Sequence, residues 1–185
     1  MPPPGLRIIV DPLTQLANRR RFTEFLEQEW QFAVRERTSL ALLMLDVDFF
    51  DRFNATHGRP AGDDCLRRIA GVLTRRIKRP SDLVARYGGE EFAVILAGAR
   101  EDGALSVAHW IRAAIEGQLM PHGASSVSDY VTVSIGVGVK EPALGGSPER
   151  LIADAGAALF RAKELGRNAV IGVTPSGSPS ACPAV

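Results

Sequence analysis

Hydrophobic positions along the chain recur at two spacings, and the wider one marks helices. Apolar side chains three and four positions apart are typical of a helix with one buried face. The segment 147–168 also opens with Ser147-Pro148, which is typical of a helix N-cap followed by proline in the first turn. The pattern predicts four amphipathic helices, over residues 18–37, 62–77, 101–119 and 147–168.

Shorter apolar runs between these helices predict strands. The run "SLALLMLDVD" is continuously apolar until its acidic end, which favours a central strand covered on both faces. "LVARY" and "FAVIL" flank "GGEE" and predict a β-hairpin, and "YVTVSIGVGV" and "AVIGV" predict two more strands. The order of elements predicts an α/β (α+β) fold, a mainly antiparallel sheet of ferredoxin-like type with helices packed on it.

Length and composition point to one domain. The chain has 185 residues, of which 45% are hydrophobic and 23% charged. We expect a linker or start at 1–10, the domain at 11–173, and a disordered tail rich in Pro, Ser and Gly at 174–185.

Charge and cysteine content narrow the function classes. A net charge of +1 gives no strong field toward nucleic acid or anionic lipid, and no apolar run is long enough to span a membrane. The start lacks the pattern of a secretory signal. Cys65 lies in a helical pattern and Cys182 in the tail, so we expect a reduced, cytoplasmic protein with no disulfide.

Acidic residues gather at two predicted strand ends. Asp46 and Asp48 close the first strand on one face, and Glu90 and Glu91 follow the glycines of the hairpin. If the hairpin lies beside that strand, three or four carboxylates come within a few ångströms and need a cation, for which Mg²⁺ is suited. Alternatively, these acids merely end a strand and solvate a turn.

Five ordered motifs resemble one family. "RYGGEEF" resembles the signature of the GGDEF family, the diguanylate cyclases, in its GGEEF form. "DPLTQLANRRRF", "LDVDFFDRFNATHGRPAGDDCLRRIA", "VTVSIGV" and "ADAGAALFRAKELGRNAV" are similar to other family motifs, so the resemblance covers residues 11–170. It implies a palm-like fold related to nucleotidyl cyclases.

The resemblance also implies a reaction and its partners. Two GTP molecules condense to cyclic di-GMP with release of two pyrophosphates, at the interface of a homodimer, with Mg²⁺ or alternatively Mn²⁺. An upstream sensory or receiver domain is expected, and neither nucleic acid nor membrane is. The site residues it implies are Asp46, Val47 and Glu90 for the metal, Glu90 and Glu91 for catalysis, and Phe50, Asn54, Asp63, Gly88, Gly89, Lys163 and Arg167 for the substrate.

Local explanations compete with several of these roles. Asn54 is also read as a helix-terminal residue, and Asp63 as the N-cap of the following helix. Lys163 and Arg167, four positions apart, are also read as a solvated basic helix face near a C-terminus. Gly88 and Gly89 let backbone approach a ligand closely, because no Cβ intervenes.

The resemblance also includes a second site, and the sequence departs from the family pattern at two positions. Arg79 and Asp82 match the family's inhibitory product site for cyclic di-GMP, although a salt bridge in a turn is the local alternative. Asp51 stands where the family commonly has lysine, and Arg59 where it commonly has histidine. Both departures leave a second hypothesis open, a weak or inactive domain that acts as a cyclic di-GMP receptor. A nucleic-acid polymerase palm would use carboxylates and metal ions in the same way. It would also need a basic channel for its template, which the near-neutral charge of the chain disfavours.

Overall fold

The computed structural model describes residues 9–173 and 179–180. In these residues five α-helices surround one sheet. The helices are α1 (Arg19–Glu36), α2 (Phe50–His57), α3 (Arg59–Arg76), α4 (Glu101–Glu116) and α5 (Pro148–Glu164). The strands are β1 (Leu40–Val47), β2 (Asp82–Arg86), β3 (Glu91–Ala97), β4 (Val133–Lys140), β5 (Val170–Val173) and β6 (Pro179–Ser180).

The sheet has the predicted, mainly antiparallel character. Its order is β2-β3-β1-β4-β5-β6, and only the β4–β5 pair is parallel. β1 therefore lies between β3 of the hairpin and β4, as a central strand. Of the predicted tail, β6 pairs with β5, while 174–178 and 181–185 lie outside the described residues, as do 1–8 of the predicted linker.

The alternating side chains of β1 enter two separate cores. Leu43 and Leu45 pack in the cluster that contains Ile69 of α3 and Ile111 of α4. The neighbouring positions of β1, including Leu42, pack in the second cluster with residues of α1 and α5. Because every residue of β1 is buried, its continuous apolar run follows directly from this two-sided packing.

Close packing of α5 on the sheet fixes the height of this helix over β4. A Cβ atom at Gly136 would overlap the α5 backbone at Ala155 and Leu159. The predicted N-cap is confirmed, since the hydroxyl of Ser147 accepts a hydrogen bond from the Arg150 amide. The helix is thereby held at both its start and its middle.

The sequence pattern missed α2. Residues 50–57 form a separate helix that buries Phe50 and Phe53, and α3 begins at Arg59 rather than at residue 62. An eight-residue helix offers only two turns, too few for a clear apolar period. Gly58 separates the two helices with φ +84°, a conformation that favours glycine.

Candidate active site

The hairpin turn lies against the end of β1. Asp46 is the register partner of Glu91, and the Val47 amide donates a hydrogen bond of 3.4 Å to the carbonyl of Glu90. The predicted adjacency of the two acidic segments is therefore confirmed by the sheet register. Gly88 and Gly89 form the turn between β2 and β3 at this same edge.

Asp46 is buried and faces one cation. Its Oδ1 lies 2.8 Å from Nζ of Lys163, which reaches it from the last turn of α5. Burial raises the pKa of Asp46, the hydrogen bond and charge of Lys163 work in the opposite direction, and the charges of Glu90 and Asp48 raise it further. The charges of Glu90 and Asp48 thus act on Asp46 in the same direction as its burial.

The expected cluster of three or four carboxylates is not formed. Among the described residues, no three Asp, Glu, His or Cys side chains group in a way that could hold a metal ion. Like charges repel when only one ammonium group neutralises them. The carboxylate of Glu91 folds back toward Gly88, where its Oε2 lies 2.7 Å from the position that a Cβ would take. The acidic group thus reduces to Asp46 and Glu90.

Asp48 serves as a buried hydrogen-bond acceptor. Its side chain is 1% exposed and accepts bonds from the hydroxyls of Thr132 and Ser134, each at 2.7 Å, and from the Asn168 amide at 3.0 Å. These contacts join the end of β1 to β4 and to the turn after α5. No sequence pattern indicates these donors, because they lie more than 80 residues away along the chain.

Arg86 holds the signature turn in place, and sequence reasoning missed it. Its guanidinium donates to the carbonyl of Gly89 at 2.8 and 3.1 Å and pairs with Asp11 at 3.2 Å. Burial acts to raise the pKa of Asp11, but hydrogen bonds from Thr14 and Arg86 outweigh it, so the pKa is lowered. The position of Arg86 inside "RYGGEEF" was the available signal. The contact connects the start of the domain to the turn.

A cleft of about 620 Å³ opens beside Glu90 and contains the expected guanine-binding positions. Asn54 lines it from α2, and its buried Oδ1 has no hydrogen-bond partner within the described part of the chain. Asp63 lies in the second turn of α3, so its alternative role as an N-cap is wrong. The Oδ1 atom lies against Gly62 of α3, because a Cβ atom at Gly62 would overlap it. The carboxylate of Asp63 lines the same cleft and can accept hydrogen bonds from a ligand. The lining residues are Phe50, Asp51, Asn54, Arg59, Asp63, Leu66, Arg86, Gly89 and Glu90.

Lys163 and Arg167 do not share one helix face, contrary to the prediction. α5 ends at Glu164, and Gly166 with φ +110° turns the chain out of the helix. Arg167 follows in the left-handed region, with φ +65°, and its guanidinium lies 4.3 Å from the centre of the Phe49 ring. The turn nevertheless directs Arg167 toward the segment that follows β1.

His122 contacts the segment that follows β1, and no sequence pattern indicates this contact. The imidazole is 1% exposed, and its Nε2 lies 3.1 Å from the carbonyl of Phe49. Because a carbonyl only accepts, Nε2 carries the proton, and Nδ1 has no partner in the described structure. Phe49 itself adopts φ +54°, so this contact helps to hold an uncommon conformation next to Asp48.

Arg79 and Asp82 lie at the far end of the hairpin from Glu90. Asp82 begins β2, accepts a hydrogen bond from the Ala97 amide, and lies 4.0 Å from the exposed guanidinium of Arg79. Burial raises the pKa of Asp82, while the Ala97 bond and Arg79 work in the opposite direction. Both residues line a cleft of about 630 Å³ whose cationic residues are Arg76, Lys78, Arg79 and Arg100.

The sequence matches the family described as "Diguanylate cyclase, GGDEF domain" over residues 8–169. The chain belongs to this family. It is 38% identical over 166 residues to the response regulator PleD of Caulobacter vibrioides, covering 89% of this chain and 36% of PleD. It is 37% identical over 162 residues to the probable diguanylate cyclase DgcT of Escherichia coli K12, covering 87% of this chain and 35% of DgcT.

Solved structures of GGDEF domains share the fold. The GGDEF domain of DgcB from Caulobacter crescentus, solved in complex with c-di-GMP, superposes with a TM-score of 0.81 at 34% identity, covering 90% of this chain and 93% of that domain. An active GGEEF domain of a diguanylate cyclase from Vibrio cholerae gives 0.75 at 25% identity, covering 86% and 99%. The chain spans about a third of the length of its curated relatives. No helix in the described residues is long and apolar enough to cross a membrane.

Proposed function

We propose that this GGDEF domain is a diguanylate cyclase, which condenses two GTP molecules into cyclic di-GMP and two pyrophosphates. The observation that carries the proposal is the Asp46–Lys163 ion pair at the end of β1, next to the turn that places Glu90 in the wall of a cleft of nucleotide size. A positive side chain and carboxylates able to hold a cation at this end of the sheet suit phosphoryl transfer, in which negative charge develops on the phosphate oxygens and must be stabilised. The DgcB complex and the names of the curated relatives support the same chemistry.

The guanine base fits the cleft next to α2. The NH₂ group of Asn54 donates to a ring acceptor of the base, and rotation of the amide away from Gly62 lets the unpartnered Oδ1 accept from a base N–H. The exposed carboxylate of Asp63 accepts from the other N–H donors of a guanine edge. A buried amide oxygen without a partner costs free energy, and the base removes that cost when it binds.

The triphosphate fits between α2 and the end of α5. The first turn of α2 has no side-chain cap, so its N–H groups remain available to phosphate oxygens. Lys163 and Arg167 supply positive charge from the other side. The pair can bind phosphate although the two residues occupy a helix and a turn rather than one helix face.

The residues at the end of β1 fit a divalent cation. Mg²⁺ is usually held by one or two carboxylates together with waters and substrate phosphates, so Asp46 and Glu90 with the Val47 carbonyl suffice without a third acid. Lys163 already holds a positive charge against Asp46. When bound, Mg²⁺ (or Mn²⁺) supplies neutralisation of the charge that develops on the phosphates.

The proposed reaction needs two domains, each with one GTP. The 3′-hydroxyl oxygen of each GTP forms a bond to the α-phosphorus of the other, and the bond from that phosphorus to the β-phosphate bridging oxygen breaks. Pyrophosphate leaves with the bond electrons, and the hydroxyl proton passes to a carboxylate. Glu90 and Glu91, next to each other at the turn, are the candidate acceptors of that proton.

Regulation and cellular context follow from the rest of the proposal. The basic cleft at Arg79 and Asp82 is proposed to bind cyclic di-GMP and inhibit the enzyme from the far end of the hairpin. Since GTP is a cytoplasmic substrate, we place the domain in the cytoplasm. An upstream sensory or receiver domain would raise the local concentration of paired domains.

A receptor without turnover is the second candidate. Asp51 and Arg59 both line the substrate cleft, and a carboxylate there is unfavourable for a triphosphate. The basic cleft at Arg79 has no lining residue in common with the substrate cleft. It could therefore bind cyclic di-GMP in a domain that has no cyclase activity.

Incubation with GTP and Mg²⁺, followed by chromatography of the products, separates the two candidates. Cyclic di-GMP formed by the parent and not by Glu90→Gln supports the cyclase. Absence of product at domain concentrations that allow dimerisation, together with binding of added cyclic di-GMP, supports the receptor.

A further inference from the structure

Two arginine side chains from distant parts of the sequence meet on one aromatic ring. The guanidinium of Arg52, in the first turn of α2, lies 4.5 Å from the centre of the Phe49 ring. That of Arg167, in the turn after α5, lies 4.3 Å from the same centre. The two like charges are therefore at most about 9 Å apart.

Within the described ranges, neither guanidinium forms an ion pair with a carboxylate. Arg35 likewise lies over a ring without an ion pair, but among the rings that the structure describes only Phe49 is contacted by two arginines. Two cations that approach each other without an intervening acid repel unless an anion joins them. Contact with the ring face offsets only part of that repulsion. The two guanidinium groups therefore give the surface around Phe49 a local positive charge that an anion would neutralise.

The surroundings define which part of a nucleotide this site would meet. Phe49 directly precedes α2, whose first N–H groups have no side-chain cap. Arg167 follows Lys163 by four residues, and Lys163 contacts Asp46. Arg52 does not line the cleft proposed for guanine, and its ring partner Phe49 also contacts Arg167, which we assign to the phosphates.

We infer that Arg52 is a substrate-binding residue that contacts the terminal phosphates of GTP together with Arg167. This inference rests on the proposed binding of GTP. Arginine suits the role because its planar group donates two parallel hydrogen bonds to phosphate oxygens. It also supplies a positive charge one residue after Asp51, whose carboxylate lies in the cleft wall. Phe49 orients both guanidinium groups.

The test compares a triphosphate with a monophosphate. Binding of a non-hydrolysable GTP analogue with Mg²⁺ is measured by calorimetry, and binding of GMP by NMR titration, for the parent, Arg52→Ala and Arg52→Lys. Arg35→Ala is the matched control, because Arg35 is an exposed helix arginine 5.8 Å from the ring of Phe32. Arg52→Ala should weaken analogue binding about tenfold, as expected for a solvent-accessible charged hydrogen bond, with GMP binding unchanged.

Each outcome bears on the inference. Partial retention in Arg52→Lys and parent-like binding in Arg35→Ala support it. Equal analogue affinity in the parent and Arg52→Ala overturns it while leaving the proposed function intact. An equal loss for the analogue and GMP also overturns it, because the effect would then be structural. Failure of the parent to bind the analogue overturns the proposed function together with the inference.

Discussion

Asp48→Ala is expected to destabilise the domain and to weaken nucleotide binding together. In the parent, one buried carboxylate accepts from Thr132, Ser134 and the Asn168 amide at 2.7 to 3.0 Å. Each donor left buried and unpaired costs about 1–3 kcal/mol, although a hydroxyl can reorient and an amide cannot. We therefore expect the free energy of unfolding to fall by about 3–5 kcal/mol, the sum for three unpaired donors when the two hydroxyls recover part of their loss.

The functional part of this effect passes through the turn after α5. Asn168 is adjacent to Arg167, so loss of its bond to Asp48 frees the turn that carries the guanidinium. Asp48→Asn keeps one acceptor oxygen and should give an intermediate loss of stability. Asp64→Ala is the matched control, because its ion pair with Arg67 is a surface one, with 74% of the Asp64 side chain exposed, and should change stability by less than about 1 kcal/mol.

Urea unfolding followed by circular dichroism gives the free energies, and calorimetry with a GTP analogue gives the affinities. If Asp48→Ala unfolds within about 1 kcal/mol of the parent, the three hydrogen bonds do not carry the stability assigned to them. If it is destabilised but binds the analogue as the parent does, the turn does not depend on Asp48.

Three other changes test separate parts of the site. Asp11→Asn should flatten the acid side of the stability curve, because the lowered pKa of Asp11 contributes stability above its ordinary value of 3.8 that is lost as the pH falls through the folded-state value. An unchanged curve would show that the hydrogen bonds from Thr14 and Arg86 do not favour the charged carboxylate. Asn54→Ala should weaken GTP-analogue binding about tenfold and leave ATP-analogue binding unchanged, as judged by calorimetry; equal losses for both nucleotides would count against base recognition. Arg79→Ala should abolish inhibition of the GTP reaction by added cyclic di-GMP, with Arg20→Ala as the exposed control, and inhibition that survives would remove Arg79 from that site.

The elements that bury long apolar runs could be predicted from the sequence. The longer helices repeat their apolar spacing several times, β1 is one continuous apolar run, and the Gly-Gly turn between two apolar runs predicts the hairpin. The pairing of this hairpin with β1 needed an assumption, which the Asp46 to Glu91 register confirms. The family motifs indicate Asp46, Glu90 and Glu91 as site residues without reference to this pairing.

Features that depend on contacts across the chain could not be predicted. The sequence pattern places Asp48 with the other acids at the end of β1. Its role as a hydrogen-bond acceptor depends on donors at residues 132, 134 and 168, which are distant in sequence. The clamp of Arg86 on Gly89 and the contact of His122 with Phe49 likewise join residues whose spacing carries no pattern. Gly166 ends α5 before Arg167, so the spacing of four residues does not place Lys163 and Arg167 on one helix face.

Anomalous diffraction from crystals grown with Mn²⁺ and a non-hydrolysable GTP analogue tests the central claim most directly. The account predicts an anomalous peak at the end of β1, within bonding distance of the carboxylates of Asp46 and Glu90 and of a phosphate oxygen, and no such peak in Asp46→Asn crystals. Nucleotide bound with its phosphates away from these two carboxylates, or a metal peak elsewhere on the domain, would contradict it.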